Sequence, residues 1–154
     1  MHGVKQLTRL QIPFSLLEDS IRSFKASPYK EKVVLWLGNK NNGLYVVQEV
    51  FTPIQITEAD YFHIPKEGMS QLMEKLKSSR KMLVAQVHTH PSEAFHSLAD
   101  DEWAIVRHLG SYSLVIPSFC SLTSAHNFKQ HVASFVLSNT NMWEQVDNYN
   151  IIIT

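Results

Sequence analysis

Apolar residues recur at three- and four-residue spacing near the start of the chain, where Phe14, Leu17, Ile21 and Phe24 form one stripe. Ser15 and Glu18 stand at capping-box spacing, so the pattern predicts a short helix that ends by Pro28. Val33 to Leu37 is an unbroken apolar run of strand length, the composition of a strand covered on both faces, and Gly38 closes it. The polar stretch Asn39 to Gly43 ends in Asn-Gly, a hairpin signal, and Leu44 to Phe51 can return as the antiparallel partner. A linking segment with Pro53 and Pro65 follows. From Lys66 to Ser79 the spacing of Met69, Leu72, Met73 and Leu76 predicts a second amphipathic helix with its stripe in the core.

Met82 to Val87 reads as the next strand, leading straight into His88. Leu98 to Leu109 reads as a third helix, with Ser97 as its N-cap and Gly110 as its end. Tyr112 to Ile116 is a short buried strand stopped by Pro117, and Pro117 to Gln130 is polar and irregular, a mobile loop near the site. Val132 to Leu137 and Tyr149 to Ile153 are further strands, with Trp143 in a connector between them. This order of elements predicts an α/β fold, a mixed β-sheet flanked by helices. Neither repeats nor linkers divide the chain, so residues 1–154 are expected to form one domain.

Composition narrows the function classes. Lys plus Arg and Asp plus Glu number 14 each, a formal net charge of zero, so no basic field points to nucleic acid or anionic lipid. The single cysteine, Cys120, cannot form an intramolecular bridge or a Cys-rich zinc site, which fits a reducing interior. Its isolation suits a small buried apolar residue better than a nucleophile. No apolar stretch matches a signal peptide or a membrane span, so a cytoplasmic protein is expected.

The chemistry concentrates between Val87 and Asp100. Side chains alternate along a strand, so His88 and His90 project from one face while Thr89 points away. Two imidazoles can then converge on one ion, and Asp100, in the first turn of the third helix, can complete a three-ligand set for Zn2+. Each residue alone has a plainer reading: His-X-His is common on exposed strands, and Ser97 and Asp100 make an ordinary helix cap. Their joint appearance at the end of a buried strand stopped by Pro91 raises the metal reading above these. Three protein ligands leave a fourth position for water, the mark of a catalytic site, and zinc lowers that water's pKa to about 7. The proton shuttle remains open among Glu31, Glu49, Glu93 and Glu102.

His88-Thr89-His90-Pro91, a short loop and Ser97-Leu98-Ala99-Asp100 resemble the JAMM motif of the JAB1/MPN metallopeptidase family. Upstream, Pro28-Tyr29-Lys30-Glu31 and the apolar run ending at Gly38 are similar to the family's glutamate-bearing approach to a buried strand. The likeness spans roughly Phe14 to Pro117, and its compactness looks most like bacterial members. It implies the JAB/MPN fold, which is related to the cytidine-deaminase-like architecture. It further implies zinc on His88, His90 and Asp100, Glu31 as general base and acid, and Ser97 as the donor to the oxyanion. The loop from Pro91 to His96 is one residue shorter than the common pattern, and His96 is an extra imidazole beside the site.

The activity implied is hydrolysis of the amide bond after the C-terminal glycine of a ubiquitin-like modifier, in deconjugation or in precursor processing. The setting implied is a bacterial ubiquitin-like conjugation system, including antiphage systems, with E1-like and E2-like proteins as further partners. Two alternatives stand beside it: processing of a sulfur carrier or small peptide, and a metal-free interaction module of the MPN type. The deaminase signatures His-X-Glu and Pro-Cys-X-X-Cys are absent from the chain, and the single cysteine argues strongly against deamination.

Overall fold

The computed structural model describes residues 8–95 and 111–154. Its centre is an eight-stranded mixed sheet in the order β10-β1-β3-β2-β6-β7-β8-β9. These strands are β1 (Arg9–Ile12), β2 (Val33–Asn41), β3 (Leu44–Phe51), β6 (Met82–Thr89), β7 (Tyr112–Ile116), β8 (Ala133–Leu137), β9 (Trp143–Val146) and β10 (Ile151–Ile153). A separate two-stranded hairpin joins β4 (Ile56–Thr57) to β5 (Phe62–His63). The described helices are α1 (Phe14–Lys25), α2 (Lys66–Ser79) and the single turn α3 (Phe128–His131). The expected helix from Leu98 to Leu109, with its Ser97 cap, lies outside the described residues.

The apolar run of β2 explains the layering. Val34 and Trp36 pack under Leu17, Ile21 and Phe24 of α1, while Val33, Leu35 and Leu37 pack under Leu72 of α2 and Ile64. A strand covered on both faces has no solvent side, hence its unbroken hydrophobicity. Trp36 brings one polar atom into the core. Its Nε1 donates to Ser20 Oγ at 2.9 Å, and that hydroxyl donates to the Leu16 carbonyl at 3.0 Å, so no buried donor there lacks an acceptor.

Several boundaries differ from those the sequence predicts. Ser15 is not a cap: Pro13 holds that position with extended backbone, no side chain caps the helix, and α1 stops at Lys25. The first helical amide is satisfied from elsewhere in the fold, the Phe14 N–H donating to the Thr154 carbonyl at 2.9 Å. Gly38 does not end β2, which continues to Asn41. The pairing with β3 slips between Leu37 and Gly38, and a methyl group on Gly38 would come within 1.8 Å of the Val46 carbonyl oxygen. Glycine marks a bulge and a close backbone approach rather than a terminus. The turn itself is as expected, with Asn42 and Gly43 at φ of 49° and 80°, the positive values of a two-residue hairpin.

The segment after Pro117 is also more ordered in its packing than its polarity suggests. Cys120, Thr123, Ala125 and Phe128 are buried, and Phe128 stacks at a tilt on Trp36. Burial pushes the Cys120 thiol up to about 11, so it behaves as a core residue. Trp143 opens β9 rather than lying in a connector. Met73, placed on the core stripe by spacing, is 61% exposed, because α2 buries a narrow face around Gly68 and Leu72.

Candidate functional site

The candidate site forms where β6 ends. β6 pairs antiparallel with β2 and parallel with β7, setting His88 opposite Val33 on one side and Val115 on the other. A second slip lies between Trp36 and Leu37: Trp36 faces Ala85 and Leu37 faces Leu83, so Val84 is skipped. Such a bulge reverses which residues face which side. Upstream of it Leu83 packs on the α2 side, and beyond it Ala85 and Val87 join the α1 side. His88 therefore shares the α2 side with its partner Val33. Strict alternation from Leu83 would have turned it the other way.

His88 is fully buried and His90 is 4% exposed. Their ring centroids are 5.2 Å apart at 50°, with Phe62 of the hairpin 5.3 Å from the His88 ring and Phe95 edge-on to His90 at 4.7 Å. The backbone of His90 is held on both sides of its peptide. Its N–H donates to the Ile116 carbonyl at 2.9 Å, and its carbonyl accepts the Phe119 N–H at 2.7 Å. Ser118, Phe119 and Cys120 all have positive φ, between 51° and 68°. Three non-glycine residues in that region cost about 1–2 kcal/mol each, a strained turn set directly against the histidine strand. No residue type in Pro117 to Cys120 signals this turn in the sequence.

Glu31 enters from the residues preceding β2. It is buried, and its Oε1 lies 3.7 Å from His90 Nε2. The other carboxylates open in the sequence stand differently. Glu49 on β3 is paired with Lys75 at 2.5 Å and Lys81 at 2.9 Å, whose hydrogen bonds, Lys75 first, hold its carboxyl below the ordinary value. Glu93 is exposed, and Glu102 lies outside the described residues. Ser97, Asp100 and His96 lie outside them too, so the structure brings together Glu31, His88 and His90 and leaves the rest of the expected set undescribed.

Two imidazoles at the end of one strand, beside a carboxylate and walled by aromatic rings, offer nitrogen donors of the kind a borderline cation such as Zn2+ takes. Among the described residues no three His, Cys, Asp or Glu side chains are grouped closely enough to hold an ion by themselves.

This chain carries an eight-stranded mixed sheet with a His-X-His pair at the end of an inner strand. Its kinship is shown by sequence: the chain is 31% identical over 120 residues to the probable metalloprotease y4jG of Sinorhizobium fredii, covering 75% of this chain and 72% of that protein. The chain belongs to the family of that protein. No family profile matches the chain. Among solved structures, protein DSY2949 from Desulfitobacterium hafniense is similar at a TM-score of 0.66, over 94% of this chain and 92% of that one. At 14% identity that likeness concerns the fold. No helix among the described residues is long and apolar enough to cross a membrane.

Proposed function

We propose that this chain is a zinc-dependent peptidase of the JAMM type, hydrolysing the amide bond that follows the C-terminal glycine of a ubiquitin-like modifier. The observation that carries this reading is the buried approach of Glu31 to His90 at 3.7 Å, since 57 positions separate Lys32 from Thr89 and the two meet across a strand pair. A carboxylate mounted just before one strand, beside the His-X-His at the end of the neighbouring strand, is the arrangement the motif needs. Kinship with a protein named as a probable metalloprotease supports the same reading.

In this reading His88, His90 and Asp100 hold the ion. When bound, zinc would polarise the scissile carbonyl and make a water acidic enough to attack at neutral pH. Glu31 Oε1 would take a proton from that water and pass it to the departing nitrogen. The Ser97 hydroxyl would donate to the carbonyl oxygen as negative charge grows there. Burial of both rings and of Glu31 keeps bulk water from competing for these groups.

The setting we propose is a bacterial ubiquitin-like conjugation system, with the modifier or its conjugate as substrate. The test compares turnover of a ubiquitin-like protein fused at its terminal glycine with turnover of short peptides, each with and without a chelator. Faster, chelator-sensitive cleavage of the fusion is expected. Cleavage of short peptides alone would move the protein to peptide processing, and partner binding without zinc or turnover would make it an interaction module.

A further inference from the structure

The residues around Glu31 are braced in an unusual way. β3 ends at Phe51 and Pro53 follows, so beyond Leu35, which pairs with Phe51, no strand among the described residues lies on the β3 side of β2. Val33 exposes a backbone N–H and carbonyl on that side. The Gln55 carboxamide fills both. Its Oε1 accepts the Val33 N–H at 2.9 Å, and its Nε2 donates to the Val33 carbonyl at 2.9 Å and the Pro53 carbonyl at 3.2 Å. A primary amide carries one acceptor and two donors, so the side chain stands in for the peptide group of a missing strand.

Thr89 does the same work from the other side. Its Oγ1 accepts the Lys32 N–H at 3.2 Å and lies 3.5 Å from the Lys30 carbonyl, while its own N–H donates to the Lys32 carbonyl at 3.1 Å. The Glu31 N–H is taken by the Glu58 carbonyl at 2.7 Å. Three consecutive amides, from Glu31 to Val33, thus bond outside the regular ladder, two to the residues flanking β4 and one to β6.

Resting on the function proposed above, the geometry points to Gln55 and Thr89 as positioning residues that hold Glu31 at its distance from His90. Neither side chain touches the reacting atoms. Both act through the backbone on which the carboxylate is mounted, and a displacement of about 1 Å in such a group is enough to cost roughly 100-fold in rate. Gln55 ties that backbone to the start of the β4–β5 hairpin. The hairpin also supplies Phe62 against His88, so one connection registers the carboxylate and the ring wall together.

The test compares Gln55→Leu, Thr89→Val and Thr89→Ser with the whole wild-type protein. Asn148→Ala, which removes bonds to the Lys129 and Val132 carbonyls elsewhere in the fold, serves as the stability control. The substrate is a ubiquitin-like protein fused at its terminal glycine; zinc affinity is measured by calorimetry and amide exchange by NMR. Gln55→Leu and Thr89→Val are expected to lower kcat about 10- to 100-fold with KM and zinc affinity nearly unchanged. Exchange at Lys32 and Val33 is expected to quicken, and Thr89→Ser, which keeps the hydroxyl, to restore both readouts. Wild-type kcat in Gln55→Leu, or an equal loss in Asn148→Ala, would overturn the assignment. If the wild-type protein turns over no substrate, the functional reading fails separately and exchange decides the brace: unchanged rates at Lys32 and Val33 overturn it, and faster rates support it.

Discussion

Glu31 Oε1 lies 3.7 Å from His90 Nε2, with both side chains buried at the junction of β2 and β6. A carboxylate and an imidazole at that depth both lose hydration, a cost that close polar partners offset. The pairing of Val33 with His88 fixes which residue before β2 reaches the histidines.

His88→Ala is expected to abolish zinc binding, measured by calorimetry on the apoprotein, because a two-histidine set reduced to one retains little hold on the ion. Retention of wild-type affinity in this variant would remove His88 from the ligand set. Asp100→Ala, tested in the same way, examines the proposed third ligand and is expected to weaken zinc binding as well.

Gly38→Ala is expected to destabilise the fold by about 3 kcal/mol or more, read by denaturant unfolding, since the new methyl group meets the Val46 carbonyl, a backbone atom that cannot swing aside. A loss below about 0.5 kcal/mol would show that β2 and β3 can re-register at the bulge without cost.

Glu49→Gln tests the ion pairs that join β3, α2 and Lys81. The Glu49 carboxyl is held below its ordinary value by hydrogen bonds from Lys75 and then Lys81. A lowered folded value means the stabilisation is fully present above the unfolded value of 4.5 and is lost as pH falls through the folded one. The variant should be about 1 kcal/mol less stable at neutral pH, with the difference shrinking in acid. A difference that stays constant with pH would deny the ion pairs that role.

The long periodic elements are legible in the sequence. α2 runs from Lys66 to Ser79, just after Pro65, and β7 from Tyr112 to Ile116, between Gly110 and Pro117 in the sequence, as pattern and punctuation predict. The short strands β1, β4, β5 and β9 are not. Each has four residues or fewer and is defined by its neighbours rather than by its own pattern. The skipped Val84 is hidden for a related reason: Met82 to Ala85, the stretch that contains it, is apolar throughout, so no alternation reveals the change of side that aims His88. Gln55 gives no signal either, since a glutamine in a polar connector has the composition of any loop. What carries the candidate site in the sequence is chemistry at fixed spacing, His88-Thr89-His90-Pro91, and the buried run that places Glu31 before β2.

The most direct test of the metallopeptidase reading is a paired measurement of zinc content and turnover in the wild-type protein and in Glu31→Gln. The variant removes a proton carrier and leaves the proposed ligands intact. Both proteins should hold about one zinc ion per chain, while hydrolysis of the glycine-linked fusion should fall in the variant by about 100-fold or more. Undiminished turnover in Glu31→Gln, or turnover in a wild-type protein stripped of zinc, would contradict it.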